Sequence, residues 1–129
     1  EYKMSFWVSG DAQANQRTMA LNATAQKAEF DRLGLESYSA YNQIDFVKGR
    51  IAAEVQLGKY SFVAYDLTSK LFGLYVANKI DVAIEIVPTH EMAHSMSSGV
   101  SYYEKALYDI IRQGRTSPPM PFVLLGIEP

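Results

Sequence analysis

The chain has 129 residues, of which 48% are hydrophobic and 20% are charged, and 12 basic against 14 acidic residues give a net charge of −2. This length predicts one domain with a substantial core, and the apolar content excludes a disordered chain. No apolar run approaches the ~20 residues that span a bilayer, so no membrane partner is expected. The absence of cysteine excludes a disulfide framework and a thiolate metal site, and it favours a cytoplasmic protein. The net charge argues against a protein that coats nucleic acid without sequence specificity. It does not exclude a nuclease, whose metal site needs carboxylates.

The N-terminal third of the sequence carries few structural signals. Within residues 1–21, the run Ser5–Val8 predicts a short strand, and the polar residues after it predict a loop. A helix is expected from Asn22, because Asn is a favourable N-cap, alanine is frequent after it, and Gly34 stands where a C′ glycine is common. The segment 1–39 receives no functional assignment.

The middle of the chain predicts a hairpin followed by a helix. Two apolar runs, Ile44–Val47 and Ile51–Leu57, read as strands joined by a tight turn at Lys48–Arg50. The segment Phe62–Ala77 then has helical spacing and two apolar stripes on opposite sides. One stripe consists of Val63, Leu67, Leu71 and Leu74, and the other of Phe62, Tyr65, Phe72 and Val76. A helix that is apolar on two faces is either fully buried or shared between the core and a partner subunit.

The C-terminal third predicts two further strands with a helix between them. Asp81–Val87 reads as a strand, and Ser101–Glu104 has the spacing of a capping box at the start of a helix that Gly114 ends. The continuous apolar run Phe122–Ile127 is typical of a strand buried on both faces. The order helix, hairpin, helix, strand, helix, strand predicts an α/β domain around a mixed sheet.

The first candidate site is a set of polar residues across the predicted hairpin. Asp45 lies nine residues before Glu54, and Glu54 and Gln56 point to one face of their strand. A carboxylate from each strand, with a backbone carbonyl between them, suits a hard cation such as Mg²⁺. The same order of residues is the active-site pattern of the PD-(D/E)XK nucleases. The alternative is that Asp45 caps a turn and Glu54 is a solvated strand residue.

The second candidate site is His90-Glu-Met-Ala-His94, which matches the H-E-x-x-H pattern of zinc peptidases. On a helix the two histidines share a face and can bind zinc, with Glu91 as general base. These are the two histidines of the whole sequence, so a third ligand would have to be a carboxylate or a tyrosine. The alternative is a pair of exposed histidines in a loop or a short helix.

A family resemblance favours the first candidate. The runs that carry it are collinear over residues ~40–128, and they are Tyr41–Lys48, Glu54–Asp66, Met96–Glu104, Ile111–Arg115 and Val123–Pro129. In these runs the chain resembles the type II restriction endonucleases of the BglII/BstYI group that cut around GATC, and most closely the BstYI type. The resemblance implies a PD-(D/E)XK restriction-endonuclease-like fold, in which helices flank a mixed central sheet. Residues 1–129 are then expected to form a single nuclease catalytic domain that lacks N-terminal helices found in the family.

The resemblance also implies roles for particular residues. Asp45, Glu54 and Gln56 correspond to the catalytic triad, and the carbonyl of Val55 to a further Mg²⁺ ligand. Gln56 stands where most of the superfamily has lysine, and it fits the departure from lysine that is seen in this group. An amide does not titrate near neutrality, so Gln56 can orient the attacking water but cannot deprotonate it.

The residues expected to recognise DNA lie in two loops. Lys59, Ser97 and Ser98 correspond to the family's readers of the major groove, and Lys and Ser side chains tolerate more than one base partner. A Lys/Ser pair fits the degenerate outer base pair of an R-GATC-Y site better than a fixed one. Candidate phosphate contacts, which are equally ordinary surface charges, are Lys48, Arg50, Arg112 and Arg115.

The sequence therefore predicts a Mg²⁺-dependent type II restriction endonuclease of the prokaryotic cytoplasm that cuts double-stranded DNA. A palindromic site requires a two-fold protein, so a homodimer is expected. Two alternatives remain at this point. One is a zinc metallopeptidase that uses His90, Glu91 and His94, and the other is a nuclease-fold DNA-binding module that does not cleave.

Overall fold

The computed structural model describes residues 1–114 and 116–129. The chain divides into two compact units, of which the smaller is Lys3–Gln43 and the larger is Ile44–Pro129 with Glu1–Tyr2. Across the described residues, no helix has the length and apolar character needed to cross a membrane.

The smaller unit contains two paired strands and two helices. Each strand extends by one residue, Tyr2 or Ile44, beyond the limits of the unit. The four elements are β1 (Tyr2–Ser9), α1 (Ala12–Thr18), α2 (Ala23–Arg32) and β2 (Ser37–Ile44). Asn22 caps α2 by accepting the Ala25 N–H at 2.9 Å, and Gly34 follows the helix with φ of 67°. The helix predicted here is therefore confirmed, as is the first strand. The prediction of a polar loop after that strand is wrong, because the helix α1 forms there. Asp11 caps this helix by accepting the Ala14 N–H at 2.9 Å.

The larger unit is built on a four-stranded mixed sheet. Its strands, in the spatial order β3-β4-β5-β6, are β3 (Phe46–Lys48), β4 (Ile51–Val55), β5 (Val82–Pro88) and β6 (Phe122–Ile127). β3 and β4 form the predicted antiparallel hairpin, whereas β4, β5 and β6 run parallel. Gly49 takes a φ of 58° in the hairpin turn, a conformation that favours glycine. This is the α/β architecture with a mixed sheet that the sequence predicts.

Helices connect the parallel strands. Between β4 and β5 the chain forms α3 (Ser61–Tyr65), a π-helical segment (Asp66–Leu71) and α4 (Phe72–Val76), and between β5 and β6 it forms α5 (His90–His94) and α6 (Tyr103–Gln113). The π-helical segment contacts both β4 and β5, and α6 contacts β6. The stripe of Val63, Leu67, Leu71 and Leu74 is buried, and Phe62, Tyr65 and Val76 of the other stripe are exposed. The two-faced helix is confirmed, with a π-helical centre that the spacing does not predict.

Two sequence predictions at the C-terminal end are wrong. The helix α6 begins after Tyr102 with no side-chain cap, and Glu104 accepts the His90 N–H at 2.9 Å instead of closing a capping box. The strand β6 is the edge of the sheet, and its Val123 and Leu125 side chains are exposed. A continuous apolar run reveals that a strand is hydrophobic but not whether both of its faces are covered.

Candidate active site

Asp45 and Glu54 meet at one end of the β3–β4 hairpin. Phe46 pairs with Ala53, so one further step of the antiparallel register brings Asp45 to the level of Glu54. Asp45 lies at a bend between β2 and β3, and its Oδ2 accepts the backbone N–H of Val55 at 3.0 Å. The hairpin thus brings together the two carboxylates that the sequence predicts.

The carbonyl of Val55 faces the same side of β4 as Asp45. The N–H of Gln56 donates to the carbonyl of Ile86 on β5 at 2.8 Å. Because the N–H and C=O of one peptide unit point in opposite directions, the carbonyl of Val55 points away from β5. The oxygens of Asp45, Glu54 and Val55 form a hard donor set from nearly adjacent positions, and oxygen donors are what Mg²⁺ takes. The donor chemistry of the predicted ligands is that of a Mg²⁺ site, which would be completed by the Val55 carbonyl, because in residues 1–114 and 116–129 no group of three or more His, Cys, Asp or Glu side chains can hold a metal.

Glu54 is buried, with 2% of its surface exposed, and it forms an ion pair. The Nζ atom of Lys70 lies 2.6 Å from Glu54 Oε1 and 3.0 Å from Asp66 Oδ1. Burial raises the pKa of Glu54 to about 7; the Lys70 ammonium opposes this rise, and the charges of Asp66 and Asp45 add to it. Burial lowers the pKa of Lys70, but the pairs with Glu54 and Asp66 outweigh burial and leave that pKa raised. Glu54 and Lys70 form a largely buried ion pair, in which the charge of each residue is stabilised by the charge of the other.

The amide of Gln56 is fixed in orientation by two hydrogen bonds. Its Nε2 donates to Asp66 Oδ2 at 2.6 Å, and its Oε1 accepts the N–H of Gly58 at 2.9 Å. A Cβ atom on residue 58 would lie 2.7 Å from that Oε1, so glycine leaves room for the amide. Since Asp66 also binds Lys70, the polar side chains of Gln56 and Glu54 are connected through the Asp66–Lys70 pair.

Glu85 is a buried carboxyl next to this cluster. It pairs in register with Glu54 on the neighbouring parallel strand, and none of its surface is exposed. Neither of its carboxyl oxygens has a hydrogen-bond partner within residues 1–114 and 116–129. Burial, together with the charges of Asp66 and Glu54, raises the pKa of Glu85 to about 9, and the Lys70 ammonium opposes this rise. Glu85 is therefore protonated at neutral pH.

Sequence reasoning missed Asp66, Lys70 and Glu85. Asp66 and Lys70 are four residues apart, a spacing that also describes ordinary surface ion pairs on helices. Glu85 gave a clearer signal, because it is the carboxylate inside the apolar run Val82–Val87. A carboxyl in a strand buried between two neighbours is unusual, and it marks this position as one that differs from ordinary core.

The two loops with the candidate base readers contact each other. Lys59 Nζ donates to the backbone carbonyl of Ser98, and Lys59 forms an isolated bridge with Val100. Ser97 and Ser98 are exposed in the loop before α6. The structure thus brings together Lys59 and Ser98, which lie 39 residues apart in the chain.

The candidate phosphate contacts differ in whether their side chains already form hydrogen bonds within the protein. Arg50 donates to both carboxylate oxygens of Asp81 at 2.7 Å and to Asn78. Arg112 donates to Asp109 at 3.2 Å, and Lys48 is exposed. Arg115 lies outside the described residues.

The histidines of the H-E-x-x-H match lie on the five-residue helix α5. Their ring centroids are 6.3 Å apart, and the ring centroids of His90 and Tyr102 are 4.9 Å apart in a T-shaped arrangement. In the described part of the chain, no third His, Cys, Asp or Glu joins His90 and His94 in a group that can hold a metal. Within the described residues, the match therefore lacks the carboxylate that could complete a zinc site with the two histidines.

The comparison with protein families agrees with the fold. The family model described as restriction endonuclease BglII/BglIII matches residues 6–127, which is nearly the whole chain and includes most of the segment 1–39. No curated protein matches the chain closely enough to serve as a relative. Restriction endonucleases act on DNA and typically use a divalent metal. The chain belongs to the BglII/BglIII restriction endonuclease family, whose members are site-specific deoxyribonucleases.

Proposed function

We propose that the protein is a Mg²⁺-dependent type II restriction endonuclease that cuts double-stranded DNA at a palindromic GATC-centred site. The observation that carries this proposal is the set of oxygens from Asp45, Glu54 and Val55 at the end of the hairpin, beside the fixed amide of Gln56. Its place of action is the cytoplasm of a prokaryote, where restriction enzymes meet foreign DNA.

The chemistry divides between the cation and the side chains. Mg²⁺ held by Asp45, Glu54 and the Val55 carbonyl would supply a lowered water pKa and charge stabilisation at the phosphate. Gln56 orients the attacking water with the hydrogen-bonding capacity that Asp66 and Gly58 leave on its amide. Because an amide does not take up a proton near neutrality, a phosphate oxygen of the substrate is the proposed proton acceptor. In-line attack leaves a 5′-phosphate and a free 3′-hydroxyl.

A homodimer places one such centre on each strand of the palindrome. The surface proposed for the dimer contact is the exposed apolar stripe of the helical run between β4 and β5. Its exposed members are Phe62, Tyr65 and Val76. Exposed apolar stripes of this kind commonly mark contacts between proteins.

Base readout is proposed to lie in the joined loops at Lys59, Ser97 and Ser98. Lysine can donate to guanine O6 and N7, and a serine hydroxyl can donate or accept. Ser98 is exposed, and Lys59 contacts the backbone of the same loop, so both can approach one base pair. This chemistry supports a BstYI-type R-GATC-Y site with a degenerate outer pair.

The test is digestion of unmethylated plasmid DNA with Mg²⁺, followed by sequencing of the fragment ends. We expect ends that begin within or beside GATC, that carry 5′-phosphates, and that do not form when EDTA replaces Mg²⁺. Specific binding of GATC duplexes without cleavage would instead identify a DNA-binding module that has lost the reaction. Ends at unrelated sequences would contradict the proposed site.

A further inference from the structure

The geometry points to Lys70 as a positioning residue of the cleavage centre, which supplies from a helix the cationic group that Gln56 does not supply from the strand. This inference rests on the nuclease function proposed above. Lys70 acts through Glu54 and, by way of Asp66, through Gln56. The family resemblance concerns position 56, where most of the superfamily has lysine, and assigns nothing to position 70.

The contacts of Lys70 differ from those of a surface lysine. Its side chain is 15% exposed, and its ammonium lies within 3.0 Å of carboxylate oxygens that are themselves almost fully buried. The Lys27–Asp31 pair has the same four-residue spacing, but its side chains are 39% and 59% exposed. Removing one partner of a buried pair leaves an uncompensated charge, whereas an exposed pair contributes little.

Lys70 is also connected to two side chains of the predicted triad, Glu54 on β4 and Gln56 just after it. It pairs directly with Glu54, and the carboxylate of Asp66 lies between its ammonium and the Nε2 atom of Gln56. The Gln56 amide reaches Asp66, so a lysine at position 56 is expected to bring its ammonium to that carboxylate. Such a lysine would place a positive charge in the cluster that now depends on Lys70.

The backbone that carries Asp66 and Lys70 is suited to this role. The two residues lie in the π-helical segment, where the N–H of Phe72 bonds the carbonyl of Leu67, five residues earlier. That segment contacts β4 and β5, the strands of Glu54 and Glu85. Short π-helical segments are frequent at functional sites.

The charges around the cluster explain why a cation is needed there. The groups that act electrostatically on Glu85 are the carboxylates of Asp66, Glu54 and Asp45 and the ammonium of Lys70. Lys70 is the cation among these four groups. Without Lys70, the carboxyl groups of Glu54, Glu85 and Asp66 would face one another in a buried place. Because like charges repel, these side chains would then move from their present positions.

The experiment compares Lys70→Met, the double variant Gln56→Lys/Lys70→Met and the control Lys27→Met with the wild type. The readouts are the single-turnover cleavage rate of a GATC duplex at saturating Mg²⁺, the Kd for that duplex in Ca²⁺, and the thermal unfolding temperature in EDTA. We expect Lys70→Met to slow cleavage by about 10- to 100-fold, the usual effect of losing a residue that positions a metal ligand, with little change in Kd. The double variant is expected to regain most of the lost rate and unfolding temperature, and the control to match the wild type.

A role in general packing alone would not be rescued by moving the lysine to the strand. Wild-type cleavage by Lys70→Met overturns the inference, and so does a double variant that is inactive or unfolded. A wild-type protein that does not cut GATC duplexes contradicts the proposed function itself. A wild type that cuts, together with an equally active Lys70→Met, contradicts the role of Lys70 alone.

Discussion

Glu54 and Glu85 lie opposite each other on the parallel strands β4 and β5, and both are buried. Residues in register on neighbouring strands point to the same face of a sheet, so the two carboxyls share a face. Burial raises the pKa of Glu54 to about 7 and that of Glu85 to about 9. The proposed cleavage centre thus holds a proposed metal ligand next to a carboxyl that is protonated at neutral pH.

This arrangement predicts that the metal-free protein becomes less stable as the pH rises. Both pKa values lie above the ordinary 4.5 of an unfolded glutamate, so the folded state binds these protons more tightly than the unfolded state. The stabilisation is complete below about pH 4.5 and is lost as the pH passes through the two raised pKa values. Glu85→Gln removes the larger shift and should flatten the dependence.

Urea unfolding in EDTA at about pH 5, 7 and 9 measures this effect, with an upper limit of about 1.4 kcal/mol per pH unit for each proton. The control is Glu91→Gln, which changes an exposed carboxylate on α5. Equal slopes for the wild type and Glu85→Gln would show that the carboxyl is not held in its buried, unpaired place.

The exposed apolar stripe predicts self-association. Phe62 and Val76 are 51% and 58% exposed on one side of the helical run. Phe62→Asp places a charge in the proposed contact and should shift a dimer towards monomer in analytical ultracentrifugation, because burying an unpaired charge is costly. Tyr38→Asp, at a similarly exposed aromatic residue of the smaller unit, is the control and should leave the dimer intact. A wild-type protein that is monomeric both free and on DNA would contradict the proposed homodimer.

The histidines of α5 are expected to be dispensable for cleavage. His90→Ala and His94→Ala should cut DNA at the wild-type rate with Mg²⁺, because neither histidine has a contact with the Asp45, Glu54 and Gln56 cluster among the contacts described. Elemental analysis of the purified protein should find no stoichiometric zinc. One zinc per chain, lost in both variants, would revive the peptidase alternative.

Ser98 provides a test of base choice. Asn binds adenine N6 and N7 with two hydrogen bonds, and such a pair is worth roughly 1–3 kcal/mol of discrimination. Ser98→Asn should therefore favour adenine at the outer purine by about fivefold to about a hundredfold. Competitive cleavage of A-GATC-T and G-GATC-C duplexes measures the ratio, and Ser95→Asn at the end of α5 is a control outside the proposed readers. An unchanged ratio would mean that Ser98 does not face the outer pair.

Local signals in the sequence predicted most of the fold. The Asn22 cap and Gly34 identified α2, and the glycine turn between two apolar runs identified the β3–β4 hairpin. Neither signal needs distant contacts. The exposed face of β6 was missed because exposure depends on which elements cover a strand, and helical spacing does not distinguish the π-helical centre of residues 62–77 from an α-helix.

The candidate site was predictable only in part, because part of it depends on contacts between elements that are distant in the chain. Asp45, Glu54 and Gln56 lie within one hairpin, so their spacing in the chain is also a spacing in space. Lys70 and Glu85 reach the cluster from a helix and from a second strand. The parallel pairing of β4 with β5 places Glu85, and the packing of the π-helical segment against these strands places Lys70. The contact of Lys59 with the Ser98 backbone depends on tertiary structure in the same way.

The most direct test of the account is cleavage of a duplex with one A-GATC-T site by the wild type, Asp45→Ala and Glu54→Ala, with Asp31→Ala as an exposed-carboxylate control. The wild type and the control should cut with Mg²⁺ and leave 5′-phosphate ends. Asp45→Ala and Glu54→Ala should not cut, yet should bind the duplex in Ca²⁺ with nearly unchanged Kd, since phosphate contacts supply much of the affinity. Cleavage at the wild-type rate by either of these variants would contradict the assignment of the active site.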